Sequence, residues 1–532
     1  MKIVIADKIT ERGVALLRDA KFEVVLPGKE SVAGELGAAD GLIVRSATKV
    51  TAALLEKAPK LRVVGRAGVG VDNVDMNAAT RRGVLVMNTP GGNAVSVAEH
   101  TFALMLALAR SVPQFNTSIH AGRWEKSSAM GRELRGKTLG IVGLGAVGTE
   151  VARRARAFEM RVLAHDPYVS AAVARESQEV ELAPLAEVLA QSDYVSLHAG
   201  LSPATEKMIN AEAIRGMKRG ARLINCARGE LVDEPALAEA LRSGQIAGAG
   251  LDTFAVEPPV NSPLIGLPNV VATPHIAGTT EEAQEEVGIL IAEQVRDYLT
   301  EGQIRNAVNL PSVSVEQYRR VQPYLELGER LGALIAQVAG PGSVGSPGNV
   351  RIRYAGEPAE LGTHILRSAV LVGLLNFILP GEHVNLVNAP AVAASRGVEV
   401  EETTRRREHG FPNTIEVAMS RDGREIKAEG TVLKDAAPRL LQFDGIPLET
   451  ALAGTLLLTR NQDVPGVIGA IGTTLGKLGV NIATFALGRR APAHGAEAIA
   501  FVRLDGDIRD TIVDPIRAIG TITEARLVRL RD

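Results

Sequence analysis

The sequence predicts an α/β protein of two doubly wound units, followed by an α+β domain and a small terminal βαββαβ module. Three observations lead there. At 532 residues the chain is too long for one core, and roughly 100 to 200 residues per domain gives three or four. Through roughly the first 300 residues short apolar runs alternate with helical patterns, the mark of a parallel sheet flanked by helices. Beyond Pro311 breakers multiply and hairpin patterns replace that alternation.

Taken in order, apolar runs at 2–6, 22–26, 41–45, 61–65 and 84–88 give the first series. An apolar helical segment at 97–110 precedes a second series at 138–142, 161–165, 194–198, 222–226, 247–251 and 270–273. A long helical pattern at 281–299 then carries the chain back to complete the first unit. Pro311 and the Gly and Pro cluster 340–348 bracket another helical segment. Strands at 414–418 and 425–432 read as a hairpin turning through Arg421-Asp422-Gly423-Arg424. The last 80 residues run strand 454–459, helix 466–478, then strands near 480–487 and 497–504.

Composition narrows the function classes. A formal charge of −2, from 59 basic and 61 acidic side chains, gives no reason to expect a nucleic acid or an acidic membrane as partner. The single cysteine, Cys226, excludes an intrachain disulfide and a Cys-rich metal site, so a reducing cytoplasm fits and no metal is expected. The first residues lack the long apolar region of a signal peptide, and the stretch 369–379 is about half a membrane span.

Gly143-Leu144-Gly145-Ala146-Val147-Gly148 follows a strand and opens a helix expected to turn Val147, Val151, Ala155 and Phe158 inward. Gly143 suits a tight turn, Gly145 lets backbone approach a pyrophosphate, and Gly148 lets helix pack on sheet. Such a motif alone is weak evidence among 54 glycines, but strand, helix and a following acid agree. That acid, Asp166, lies 18 residues after Gly148 at a strand end. Its carboxylate suits the adenosine ribose hydroxyls and repels a 2′-phosphate, which favours NAD over NADP.

Three later strand ends carry polar residues that packing does not require: Asn225-Cys226-Ala227-Arg228-Gly229, the stretch 252–258 with Glu257, and Thr273-Pro274-His275-Ile276-Ala277-Gly278. Oxidising a 2-hydroxy acid needs a base for the hydroxyl proton, and only His titrates near neutrality unaided, so His275 is preferred. Glu257 is placed to orient the imidazole, and the planar fork of Arg228 to hold a carboxylate and polarise the forming carbonyl. Singly, each also reads as an ordinary ion pair, loop acid or cap.

Together these motifs resemble the D-isomer-specific 2-hydroxyacid dehydrogenases over residues 1–310. The resemblance implies two Rossmann-like, flavodoxin-like units, catalytic roles for Arg228, Glu257 and His275, and NAD contacts from Ala146, Val147, Asp166, Cys226, Ala227 and Asp252. It also sets Val69, Ala199 and Gly278 beside the nicotinamide. Val69 stands where the family often has Thr, which leaves only a backbone contact there.

In the first unit Val44-Arg45-Ser46, Gly65-Arg66-Ala67-Gly68-Val69-Gly70 and Gly91-Gly92-Asn93 close successive strands. Backbone N–H groups near Gly68 can nest a carboxylate, and Arg45 and Arg66 supply charge for a phosphate. Arg45, Ser46, Arg66, Gly68 and Asn93 sit where the phosphoglycerate dehydrogenase branch of the family holds 3-phosphoglycerate. The stretch 463–482 resembles an ACT domain, and 315–450 resembles the intervening, allosteric substrate-binding domain of the long form of that branch. The resemblance implies oxidation of 3-phospho-D-glycerate to 3-phosphohydroxypyruvate, L-serine as effector at Asp463 and Asn481, and a homotetramer. Asn461 replaces the His or Tyr of other members. The expected domains are 1–98 with 284–312 for substrate, 99–283 for NAD, 315–450 intervening, and 453–532 regulatory. Another D-2-hydroxyacid dehydrogenase, with 2-oxoglutarate reduction as a side activity, and an NAD-sensing binding protein are the alternatives.

Overall fold

The computed structural model describes residues 1–28, 31–170, 174, 180–310, 315–340, 349–379, 381–405, 411–421, 423–433, 437–490 and 496–531. Pro311, the breaker cluster over 341–348 and Asp422 of the hairpin turn lie outside them.

Five parallel strands form the first sheet, in spatial order Glu23–Val25, Lys2–Ile5, Gly41–Val44, Val63–Arg66 and Leu85–Met87. Gly41–Val44 and Leu85–Met87 are buried throughout, which is why they read as continuous apolar runs and not as alternation. Strand order reverses between Lys2–Ile5 and Gly41–Val44, the place where doubly wound sheets open a crevice at the strand carboxyl ends. The helix Glu281–Glu301 returns to this sheet and buries Val287, Ile291, Val295 and Leu299 with Ile3, Ile43 and Val63.

The second sheet is also parallel: Val270–Ala272, Ile246–Leu251, Ala221–Asn225, Tyr194–Leu197, Thr138–Val142, Arg161–His165 and Glu181–Leu182. The last strand, two residues long at the edge, is too short to leave a periodic signal. The helix Ala94–Arg110 covers one face with Phe102 and Met105, and the helix Ala146–Ala157 buries Val151 and Ala155. Phe158 departs from the expected inward stripe. It stands at the C-cap, is 40% exposed and stacks on Phe102 at 5.1 Å, because the helix ends before the period reaches it.

In the third sheet Glu399–Arg405 runs parallel to Asn349–Ala355, and Thr414–Arg421, Arg424–Val432, Pro438–Phe443 and Ile446–Ala451 continue antiparallel. The helices Val315–Ala339 and Thr363–Ile378 share its core. The fourth sheet orders Ile482–Arg489, Glu497–Leu504, Thr455–Gln462 and Ile522–Arg529, and its helices Val467–Lys477 and Val513–Arg517 complete βαββαβ. Arg460 joins the last two sheets: its guanidinium meets Glu497 at 2.9 Å, Glu524 at 3.0 Å and Asp444, over the ring of Phe443. Among the described residues no single helix is long and apolar enough to cross a membrane.

Candidate active site

Thr138–Val142 and Tyr194–Leu197 are neighbours where the second sheet reverses its order, and the glycine turn opens there. Gly143 has φ 95°, and a Cβ on it would stand 2.7 Å from the backbone of His198 and Ala199. A Cβ on Gly148 would lie 2.1 Å from the Gly143 carbonyl. Turn and helix are thus pressed together in a way only glycine permits. Gly145 caps the helix without a side-chain bond and has open space before it, so the free N–H groups of Ala146 and Val147 face room for a pyrophosphate. Val147 is half-buried against the core and Ala146 is exposed.

Asp166 accepts from the Leu144 N–H at 2.8 Å and the Tyr168 N–H at 2.9 Å, one on each oxygen. A carboxylate has about four lone-pair sites, so fastening the turn leaves capacity for ribose hydroxyls. Cofactor and crevice therefore match: an uncapped helix terminus, a cradle a Cβ would fill and a poised acid. Sequence reasoning missed His198 beneath the turn. Burial pushes its ring down to about 3, so it stays neutral, bonded to Ser196 at 2.8 Å.

The polar strand ends converge on the facing side. His275 Nδ1 lies 2.8 Å from Glu257 Oε2, and Oε1 of the same carboxylate accepts from the Phe254 N–H at 3.1 Å. His275 itself takes φ 55°. Asp252 fixes that conformation: its carbonyl accepts the His275 N–H, and its carboxylate accepts from Ile276 N–H at 2.9 Å, Ala277 N–H at 2.8 Å and Thr273 Oγ1 at 2.6 Å. Burial disfavours its charged form, and hydrogen bonds from His100, Thr273 and the two amides outweigh that, holding the carboxyl below its ordinary range. With both oxygens engaged and no exposure, Asp252 anchors the loop that carries His275 and does not stand free in the crevice. Cys226 is similarly turned into the second core, and burial pushes its thiol up to about 12.

A cavity of about 330 Å³ lies between the two units, bordered by Arg45, Ser46, Arg66, Gly68, Asn93, Glu257, His275 and Gly278. Arg66 Nε and Asn93 Oδ1 are buried there without partners. Burial, then the Arg228 cation, push the Arg66 guanidinium down to about 10. Asp7 accepts the Arg45 N–H at 2.7 Å, and Asn73 donates to the Arg45 and Thr48 carbonyls at 2.7 Å, so two polar residues set the Arg45 loop. Asn88 donates to the Val69 carbonyl at 2.6 Å, which fixes the neighbouring turn. Gln284, also on the cavity wall, accepts from Arg45 at 3.4 Å; it was lost inside a helical pattern.

Arg228 is the exception. Asn225 shapes its loop by accepting the Ala227 N–H and donating to the Arg228 carbonyl. Yet its guanidinium does not border the cavity; it meets Asp72 Oδ2 at 3.0 Å through both Nε and Nη2, and Nη1 donates to the Ala227 carbonyl.

A second cavity, of about 390 Å³, lies in the terminal module, lined by Asn461, Asp463, Phe485 and Arg489. Asp463 stands 3.2 Å from Arg489. Asn481 does not line it. It bonds Asp505 at 2.7 Å, beyond the far end of the helix Val467–Lys477, which at 1.5 Å per residue separates the two by roughly 16 Å. Within one chain a single serine cannot touch both.

Comparison with known proteins agrees with this geometry. Residues 102–277 match the NAD binding domain of D-isomer specific 2-hydroxyacid dehydrogenases, and residues 320–444 match the D-3-phosphoglycerate dehydrogenase intervening domain. The chain is 40% identical to D-3-phosphoglycerate dehydrogenase of Methanocaldococcus jannaschii over the full length of both, and 38% identical to that of Bacillus subtilis over 99% of each. A D-lactate dehydrogenase structure from Aquifex aeolicus, complexed with NAD and lactic acid, aligns with TM-score 0.51 at 29% identity, covering 59% of this chain and 100% of that one. With its glycine cradle, its His–Glu pair and its intervening domain, the chain belongs to the D-3-phosphoglycerate dehydrogenases, within the D-isomer-specific 2-hydroxyacid dehydrogenase family.

Proposed function

We propose that this chain oxidises 3-phospho-D-glycerate to 3-phosphohydroxypyruvate with NAD, opening the route to L-serine. The observation that carries this is the His275–Glu257 pair at 2.8 Å on the wall of a cavity that also holds Arg45, Ser46, Arg66, Gly68 and Asn93. NAD, when bound, supplies the hydride acceptor for C2. His275 takes the hydroxyl proton, and Glu257, tied to the Phe254 amide, aims the ring and stabilises its cation. Arg45 and Arg66 meet the phosphate, Arg66 keeping a buried Nε without a hydrogen-bond partner, and Asn93 offers its amide to a polar group. Arg228 holds the carboxylate and polarises the carbonyl as it forms. Asp166 selects the unphosphorylated ribose.

Regulation belongs to the same reading. An amino acid suits the 390 Å³ cavity, its ammonium on Asp463 and its carboxylate on Arg489. Because Asn481 lies too far away in the same chain, a site using both residues takes Asn481 from a second copy, which agrees with a homo-oligomer. The enzyme works in the cytoplasm, where Cys226 stays reduced.

NADH formation from NAD and 3-phospho-D-glycerate with a trap for the keto product, repeated with L-serine, tests this. Turnover that serine lowers is expected. No turnover with this substrate, alongside turnover of another 2-hydroxy acid, overturns the substrate assignment.

A further inference from the structure

Arg228 is the one residue of the expected catalytic set that does not border the cavity. Its Nε and Nη2 both point at Asp72 Oδ2, 3.0 Å away, and its Nη1 is occupied by the Ala227 carbonyl. Three of five guanidinium donors are therefore engaged before any substrate arrives. The pair joins the two α/β units: Asp72 follows the first-sheet strand Val63–Arg66, and Arg228 follows the second-sheet strand Ala221–Asn225. Local sequence makes room for it. A Cβ on Gly70 would sit 1.8 Å from Arg228 Nη2 and 2.8 Å from Asp72 Oδ2. Among the described residues the Asp72 carboxylate, 64% exposed, makes no hydrogen bond or ion pair other than those to Arg228.

We propose that Asp72 is a positioning residue that parks Arg228 outside the cavity, so that the substrate binds by exchanging its own carboxylate for that of Asp72. This rests on the functional reading above and adds a step to it. Free enzyme keeps a carboxylate on its carboxylate-binding group, and ligands without one do not release Arg228. The exchange is isoelectric for Arg228, and water screens the pair from the side of Asp72, which is 64% exposed against 26% for Arg228, so the latch opens readily and a two- to fivefold effect is its natural size. Asp72 also offsets the repulsion between Arg66 and Arg228.

The full-length enzyme carrying Asp72→Ala, compared with wild type and Asp72→Glu, decides the matter. Asp72→Ala is expected to lower KM for 3-phospho-D-glycerate two- to fivefold without raising kcat, and Asp72→Glu to restore the wild-type KM. The KM ratio is expected to shrink but not vanish at 1 M salt, where the Debye length of about 3 Å matches the contact distance, so a contact pair is weakened while long-range charge is abolished. An unchanged or higher KM in Asp72→Ala overturns the latch, as does a ratio that vanishes in salt, which marks long-range charge alone. Wild-type turnover separates the two claims. If wild type fails to oxidise this substrate, the functional reading fails, and the latch is then read from oxalate titration of both proteins by intrinsic fluorescence, with tighter binding by Asp72→Ala expected and equal binding overturning it.

Discussion

The cleft between the first two sheets and the junction between the last two are both rich in charge, and they treat it in opposite ways. At the junction Arg460 is nine-tenths buried and meets three carboxylates, from Asp444, Glu497 and Glu524. In the cleft Arg66 keeps an unpartnered Nε, Asn93 an unpartnered Oδ1, and the His275–Glu257 pair stays 50% and 39% exposed. Matched charge at depth holds two domains in register; unmatched charge at a cavity wall waits for a ligand.

The sharpest way to break this contrast is at His275. His275→Ala is expected to lower kcat by about 10² to 10⁴, the usual worth of a positioned general base, with NADH binding retained in a fluorescence titration. A variant with near wild-type kcat removes His275 as the base and with it the claim that the exposed polar groups of the cleft do chemistry. Arg460→Ala should act the other way. Stripping the cation from three carboxylates costs about 3 kcal/mol, the low end for a broken buried pair because Glu497 is 37% exposed, while kcat stays within twofold. Calorimetry of the full chain reads the first figure and steady-state kinetics the second; a large kcat loss there would show the junction acting on the cleft.

Asp252 sits between these extremes, buried like Arg460 yet holding the loop that carries His275. Asp252→Asn is expected to cost about 2 kcal/mol near neutrality, since a neutral amide replaces a charged acceptor of several hydrogen bonds. The sign with pH follows from the lowered carboxyl. Its stabilising contribution is complete above the unfolded value of about 3.9 and is lost as pH falls through the lower native value. Denaturant titrations should therefore show the widest gap between wild type and variant above about pH 5, closing on the acid side. A gap independent of pH would mean that the carboxylate charge is not what the fold uses.

How much of this was legible in the sequence follows the same division. Strands 138–142 and 161–165 were read to the residue, because the glycine turn and Asp166 bound them chemically. The pairing of His275 with Glu257 was readable because an imidazole proposed as a base at a strand end calls for a carboxylate to orient it. Asp72, Gln284 and His198 were not, because their meaning lies in what they meet far along the chain, Arg228, Arg45 and the Gly143 turn respectively, and no local pattern encodes a distant partner. Phe158 failed for the reverse reason: periodicity was carried past a helix end that nothing in the local sequence announces. Asp463 and Asn481 were read as one site, although a helix stands between them.

Asp166→Arg tests the cofactor crevice, where the residue that fastens the turn is also the one proposed to select the ribose. Removing the carboxylate should move the kcat/KM ratio toward NADP by about tenfold, and losing the Leu144 and Tyr168 hydrogen bonds should loosen the turn and weaken both cofactors. A ratio that stays with NAD would assign Asp166 to the turn alone.

The smallest effect expected is at Asp463. Its carboxylate faces Arg489 at 3.2 Å on the wall of the terminal cavity, so the two present opposite charges at the spacing an amino acid's ammonium and carboxylate require. The pair is partly exposed and water competes for both ends, which limits its worth to about 1 kcal/mol, or roughly fivefold in affinity. Asp463→Ala should raise the serine concentration for half-inhibition by about that factor and leave kcat without serine unchanged. Inhibition by a hydroxy acid that keeps the carboxylate but lacks the amine should not weaken, because Arg489 remains. If serine inhibits the variant as it does wild type, the cavity is not where serine acts, and the charge there, like that of Arg460, is matched for structure.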